Sequence, residues 1–302
     1  MTLYTQVASN RFKTAFYLGL FSLIFLGVGW AVAWYFQMPG ILVIASFIVI
    51  IQGIVSYWFS DSIALAASQA QPLSKVLQPN QVERVERLTH NLCITAGLKV
   101  PRLYIIPDTA LNAFATGRNQ DHAAIALTAG LVEKLDDNEL SGVIAHELSH
   151  IGNEDIKLMS MVMVMAGLIA LVSDLGMRSM FYGGGRRRSD DNGGGGVMLL
   201  IAIALAILAP IAATLIQLAI SRKREFMADA NAVLVTRYPE GLISALRKIS
   251  GDTEPLEVAN RGNAFMYFSN PLHKQFMAGL FATHPPVEER IKALEQGTGI
   301  SG

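Results

Sequence analysis

His146-Glu147-Leu148-Ser149-His150 places two imidazoles four residues apart. On an α-helix that spacing stacks both rings on one face, within reach of a single Zn²⁺. Glu147, one position round, reaches the open side of such a metal and can take a proton from water there. Working outward, Asp136 and Glu139 give the helix a capping-box start. Leu140, Val143, Ile144, Leu148 and Ile151 form its core stripe, which leaves His146 and His150 on an adjoining face.

Upstream, Thr128 caps a helix through Leu135, and three short strands precede it at Arg102–Ile106, Asn112–Thr116 and Ala123–Leu127. The turn Gly117-Arg118-Asn119-Gln120-Asp121 joins the last two strands, and Pro72–His90 has a charged helical pattern. The expected local architecture is a small sheet followed by a metal-bearing helix.

The rest of the chain is unusually apolar. Of 302 residues, 52% are hydrophobic and 16% charged, against about 25% charged in soluble domains. From Thr14 to Ser60 there is no charged residue, and the run breaks only at Gln37-Met38-Pro39-Gly40. Thr14–Phe36 and Gly40–Phe59 are each long enough to cross roughly 30 Å of hydrocarbon. A cleaved signal peptide is the competing reading, since Ala31-Val32-Ala33 resembles a cleavage site; the length of the run and the second span directly after it favour a membrane hairpin. Arg11 and Lys13 before the first span place both hairpin ends in the cytoplasm by the positive-inside rule.

A second apolar pair lies downstream. Leu158–Ser173 has an apolar part of about 15 residues, near 22 Å as a helix and short of a full span. Val197–Ile220 is of full length despite Pro210. Between them Gly183–Arg188 and Gly193–Gly196 form a flexible loop carrying Arg186, Arg187 and Arg188. If both segments span, these arginines lie outside, against the positive-inside rule, so a re-entrant or membrane-packed pair is the alternative.

A catalytic zinc takes three protein ligands and keeps one position open. Ser221–Asp229 supplies the third: Glu225 and Asp229 are four apart on one helix face. Glu225 is the expected ligand, and Asp229 the acceptor for a ligand histidine's free ring N–H; a solvated Glu–Arg helix surface is the competing reading. His146 and His150 lie just before the second apolar pair and Glu225 just after it, so an apolar hairpin returns the chain to the side it left. The expected fold is therefore a mainly α integral membrane protein with a small β-sheet, its zinc-binding domain interrupted by a hydrophobic helical hairpin. The segments are 1–60, 61–157, 158–220 and 221–302. Net charge is zero, which argues against a nucleic-acid partner bound through a basic face. Cys93 is the single cysteine, leaving no disulfide framework and no Cys-rich structural zinc site; it reads as a small core residue. Asn263–Phe281, rich in Phe and Met, reads either as a greasy lip near the membrane or as an ordinary core loop.

Four blocks, Leu111–Gly117 (LNAFATG), Ala145–Asp155 (AHELSHIGNED), Ser221–Ala232 (SRKREFMADANA) and Thr283–Ile291 (THPPVEERI), together with the order of the apolar pairs, resemble the family of membrane-embedded zinc metalloproteases that includes the CAAX prenyl proteases. The resemblance implies that the interrupted domain is a gluzincin-like zinc metalloprotease domain, with one Zn²⁺ per chain held by His146, His150 and Glu225 and with Glu147 as general base. It implies that Asn112, Ala113, Phe114, Ala115 and Gly117 belong to an edge strand that pairs with an extended substrate. His284 and Arg290 match the family's downstream positions and are expected to stabilise the oxyanion or support the ligands, the other reading of His284 being a structural turn residue before Pro285-Pro286. His90, His122 and His273 match nothing and read as surface or core histidines. The expected activity is hydrolysis of unfolded or damaged membrane proteins, as stress-response quality control, by a multi-pass protein of the bacterial cytoplasmic membrane facing the cytoplasm. Its expected partners are polypeptide substrates and the bilayer. The sequence holds no P-loop ending in Lys-Ser or Lys-Thr, so a separate ATP-dependent protease or chaperone is the expected supplier of extended substrate. The rivals are a CAAX-type processing protease and a non-enzymatic membrane scaffold with a structural zinc.

Overall fold

The computed structural model describes residues 3–183, 222–259, 263–269, 271 and 285–297. The 197–220 apolar segment, the Gly/Arg loop from residue 184 onward, His273, His284 and much of 263–281 lie outside the described residues. Two apolar helices open the chain, α1 (Leu3–Phe36) and α2 (Gly40–Trp58). Asn10–Phe36 and Gly40–Trp58 are long and apolar enough to cross a membrane. The chain reverses between them at Gln37, whose φ is 57°, and at Pro39, where no helix can simply continue.

After α3 (Ser60–Ala67) come β1 (Gln71–Pro72), a 3₁₀ turn at Leu73–Lys75 and α4 (Pro79–Ala96). The charged helix therefore begins seven residues later than the pattern from Pro72 indicates. Gln78 and Gln81 form a capping box and Pro79 takes the first helical position, where its missing N–H costs nothing. Cys93 is buried in this helix, as expected for a core thiol.

Then follow β2 (Arg102–Ile106), β3 (Ala113–Thr116) and β4 (Ala124–Thr128). The sheet order is β1-β2-β4-β3. β2 runs parallel to β4, while β3 is antiparallel to it with Ala113 opposite Leu127. β3 is thus an edge strand. Both sheet faces are covered. Ile125 and Leu127 of β4 face one cluster with Leu140, Val143, Ile144 and Leu148; Ala124 and Ala126 face another with Phe21, Leu65, Met159 and Val162.

α5 (Ala129–Lys134) leads to α6 (Asp137–Gly152). Thr128 caps the first by accepting from Leu131 N–H. Asp136 caps the second: its Oδ1 accepts from Asn138 and Glu139 N–H while Glu139 Oε2 accepts from Asp136 N–H. All five residues of the expected core stripe are buried.

α7 (Asp155–Gly183) has 29 residues, so the 15-residue apolar count understates it. The helix continues through Asp174 and Arg178, which a hydropathy run excludes but a backbone ladder accepts. Its Leu158–Ile169 part is largely buried against α1, α3 and the sheet, so protein rather than lipid covers it there. Last come α8 (Arg222–Thr236), α9 (Pro239–Gly251) and α10 (Val287–Gly297).

α6 meets α9 at Gly142, where an added Cβ would lie 2.9 Å from Leu242 N and Cα. Gly142→Ala should destabilise the fold by about 1–3 kcal/mol, the cost of overpacking, although alanine is the better helix former by about 1 kcal/mol. Denaturant unfolding of the detergent-solubilised protein reads the sign. A gain in stability would mean that the helices do not approach this closely.

Candidate metal centre

α6 and α8 meet on a shared face, tied by Ser149 Oγ donating to the Ala228 carbonyl at 3.4 Å. The seam brings together three buried side chains, His146 and His150 from α6 and Glu225 from α8, whose donor atoms all lie within 4.8 Å of one another. The two imidazole Nε2 atoms stand 3.2 Å apart. Glu225 Oε2 is 3.7 Å from His146 Nε2, and Oε1 is 3.7 Å from His150 Nε2. Tetrahedral zinc with bonds of about 2.0–2.1 Å sets its donors about 3.3 Å apart. Two imidazole nitrogens and one carboxylate at these spacings therefore fit zinc, and among the described residues these three are the ligand side chains that meet here.

The far ring nitrogens carry the orientation. His146 Nδ1 donates to Asp229 Oδ1 at 2.9 Å, and His150 Nδ1 donates to Asp155 Oδ2 at 3.2 Å. A carboxylate only accepts, so in its neutral, metal-binding form each ring keeps its proton on Nδ1 and turns the Nε2 lone pair to the centre. Asp229 was expected in this position from its spacing to Glu225. Asp155 was not: it lies beyond the α6 terminus, and its only signal was that it closes the Ala145–Asp155 block.

Arg290 stands behind Asp229. It reaches Asp229 with both Nε (2.8 Å, to Oδ2) and Nη2 (2.6 Å, to Oδ1), a bidentate fork. It is 1% exposed. Its guanidinium also lies 4.7 Å over the Phe268 ring, and Nη1 donates to the Phe268 carbonyl at 3.3 Å. The structure thus brings Arg290 to Asp229, the carboxylate that accepts from His146. His284 lies outside the described residues.

Electrostatics differ between the two histidines. Burial lowers His146 to about 4, helped by the Arg290 charge and only partly opposed by Asp229. Burial acts on His150 too, but its hydrogen bond to Asp155 and the Glu225, Asp155 and Glu147 charges outweigh it and raise this ring to about 9. Burial raises the Asp229 carboxyl, yet Arg290 and His146 more than offset that and hold it down at about 2. Glu147 is raised to about 7, chiefly by burial with a further push from Glu225, against His150, Arg290 and a backbone N–H of Ala115. A buried carboxyl poised near neutrality suits a group that takes and returns a proton.

Ala115 belongs to β3, so the edge strand passes beside Glu147. Part of that edge is already paired. Phe268 N–H donates to the Ala113 carbonyl at 2.7 Å, and the Asn112 side chain clamps Ser269 by donating to its carbonyl and accepting from its N–H. Phe268 also stacks edge-on against His146, with ring centroids 4.8 Å apart. Phe114 points the other way, into the cluster with Tyr267. Gly117 has a packing reason of its own: at φ 143° an added Cβ would lie 2.5 Å from the His122 carbonyl oxygen. Ala264–Phe268 are buried, so the core-loop reading holds for this part of 263–281. The exposed His90 and His122 are surface residues.

Residues 79–298 match the peptidase family M48. The chain belongs to that family. A "Protease HtpX homolog" of Caldanaerobacter subterraneus subsp. tengcongensis is 44% identical over 301 residues, 98% of each chain. Others come from Tropheryma whipplei, 40% identical over 97% of this chain and 98% of the relative, and Listeria monocytogenes, 42% identical over 97% and 99%. A crystal structure of S. mikatae Ste24p is similar at a TM-score of 0.45 and 19% identity, covering 97% of this chain and 66% of that one. The resemblance read from the four sequence blocks is borne out. By family the chain is a metalloprotease, and among the described residues it carries two helices long and apolar enough to cross a membrane.

Proposed function

We propose that this M48 peptidase is a zinc-dependent endopeptidase of the bacterial cytoplasmic membrane that hydrolyses extended stretches of unfolded or damaged membrane proteins. One observation carries the reading: two Nε2 atoms and a glutamate converge in a buried centre, with the carboxyl group of Glu147 buried beside them. His146, His150 and Glu225 hold the zinc as a gluzincin-type set. Bound zinc supplies Lewis acidity, polarising the scissile carbonyl and acidifying water. Glu147 takes the proton of the attacking water as the new C–O bond forms. The C–N bond then breaks, and Glu147 returns that proton to the leaving amine. Asp229, held by Arg290, keeps His146 oriented. The substrate lies along the β3 edge beside Ala115, where main-chain pairing supplies affinity independent of side chains.

The segments 1–60, 61–157, 158–220 and 221–302 serve as membrane hairpin, first catalytic part, second apolar hairpin and second catalytic part. Three contacts support a site at the membrane surface. Arg118 lies 4.6 Å over the Trp58 ring and Lys157 5.2 Å from the Tyr57 ring, and Arg11 pairs with Glu154. The start of α1 and the end of α2 thus both meet the catalytic part, which belongs on the side where Arg11 and Lys13 remain, the cytoplasm.

The test is metal analysis and casein cleavage in detergent. One zinc per chain is expected, with cleavage lost on chelation and restored by zinc. Glu225→Ala should reduce bound zinc by at least tenfold. Full cleavage by the chelated protein would overturn the reading.

A further inference from the structure

We propose that Asn10, near the start of α1, is a positioning residue for His150, acting through Asp155. The inference rests on His150 being a metal ligand. The Asn10 amide donates to Asp155 Oδ1 at 2.7 Å and to the Asn153 carbonyl at 3.0 Å. The opposite oxygen of Asp155 accepts from His150 Nδ1. A membrane helix is thereby wired to the candidate metal centre through one carboxylate.

The turn between α6 and α7 shows why such a tie matters. α6 ends at Gly152 and α7 begins at Asp155, so Asp155 is not carried on the helix that holds His150. Glu154 between them has φ 56°, a conformation that side-chain-bearing residues seldom adopt. Two neighbours on α1 fix this turn: Arg11 donates to Glu154 from Nε at 2.8 Å and also from Nη2, and Asn10 takes the residues on either side. Asn153 also caps α6, and its carbonyl is one of those that a helix end leaves without an internal partner.

Burial separates the two ties. Arg11 is exposed, whereas Asn10 is 2% exposed. A buried asparagine in a helix is costly unless its amide is paired, and this one spends both amide protons on the turn. The two histidine-supporting carboxylates are also held differently. Asp229 has the Arg290 fork. At Asp155 the Asn10 amide makes the shorter contact, with Arg224 Nη1 at 3.4 Å on the same oxygen.

The test uses the full-length protein in detergent, loaded with one equivalent of zinc, and follows transfer of zinc to a chromogenic chelator. Partners behind a metal ligand typically change affinity 10- to 100-fold, so Asn10→Leu should release zinc about tenfold faster and shift the visible spectrum of the cobalt-substituted protein. In an Asp155→Asn background the same substitution should add nothing, because the route it acts through is gone. Arg11→Gln, which loosens the same turn without touching Asp155, should release zinc within about twofold of wild type. Wild-type release from Asn10→Leu, or equal acceleration by Arg11→Gln, overturns the proposal. If Asn10→Leu does not accumulate, Asn10→Ala is read by the same criterion. A wild-type protein that takes up no metal overturns the reading of the site instead.

Discussion

Glu147→Gln should bind one zinc per chain and cleave casein about 10² to 10⁴ times more slowly than wild type, the range expected for loss of a general base. Glutamine has the same shape, so the packing of α6 is kept. Its amide cannot take a proton from water or hand one to the departing amine. The environment of Glu147 sharpens this expectation. Burial lifts its carboxyl to about 7, which makes it a ready proton carrier near neutrality. Initial rates and metal content, measured on the same preparation, check the result. Unchanged cleavage by the zinc-loaded variant would remove Glu147 from the mechanism.

Arg290→Met should cost about 3–5 kcal/mol, the range for removing one partner of a buried ion pair. Asp229, itself 2% exposed, would be left as an uncompensated charge beside His146. Its carboxyl would rise from about 2 as the strongest opposing influence disappeared. Zinc affinity should fall 10- to 100-fold as the support of His146 loosens. Unfolding by denaturant with and without zinc separates the two losses. The double substitution Arg290→Met with Asp229→Leu should be more stable than Arg290→Met alone, since no charge is stranded. Equal stability of the single and double variants would show that the pair is not what stabilises this seam.

Much of the centre was legible because its residues obey short-range rules. The i, i+4 spacing of His146 and His150, the Asp136/Glu139 box and the Glu225/Asp229 face are all local patterns, and each appears in the structure where the pattern put it. Asp155 escaped because its partner His150 is reached across a helix end, where no periodicity applies. The pairing of Phe268 with Ala113 escaped for a similar reason: a single strand-like hydrogen bond from an irregular segment leaves no alternation to read. In α7 the apolar run was real but its surroundings were not legible. Leu158–Ile169 is as apolar as a membrane segment, and composition does not distinguish a lipid neighbour from Phe21, Leu65 and the sheet. The start of α4 moved for a simpler reason, since Pro72, at one end of the pattern, belongs to a two-residue strand and Pro79 to the first turn of the helix.

The wide sequence separation of these contacts also sets an order on synthesis. His146 and Arg290 are 144 residues apart, and Asn10 and Asp155 are 145. A nascent chain that has already delivered both histidines and Glu225 still lacks the cation against which Asp229 is balanced. The support of His146 is complete only after residue 290 has been made and α10 has docked. Until α10 docks, His146 therefore leans on a carboxylate whose charge is unbalanced, and zinc should be held 10- to 100-fold more weakly than in the finished fold.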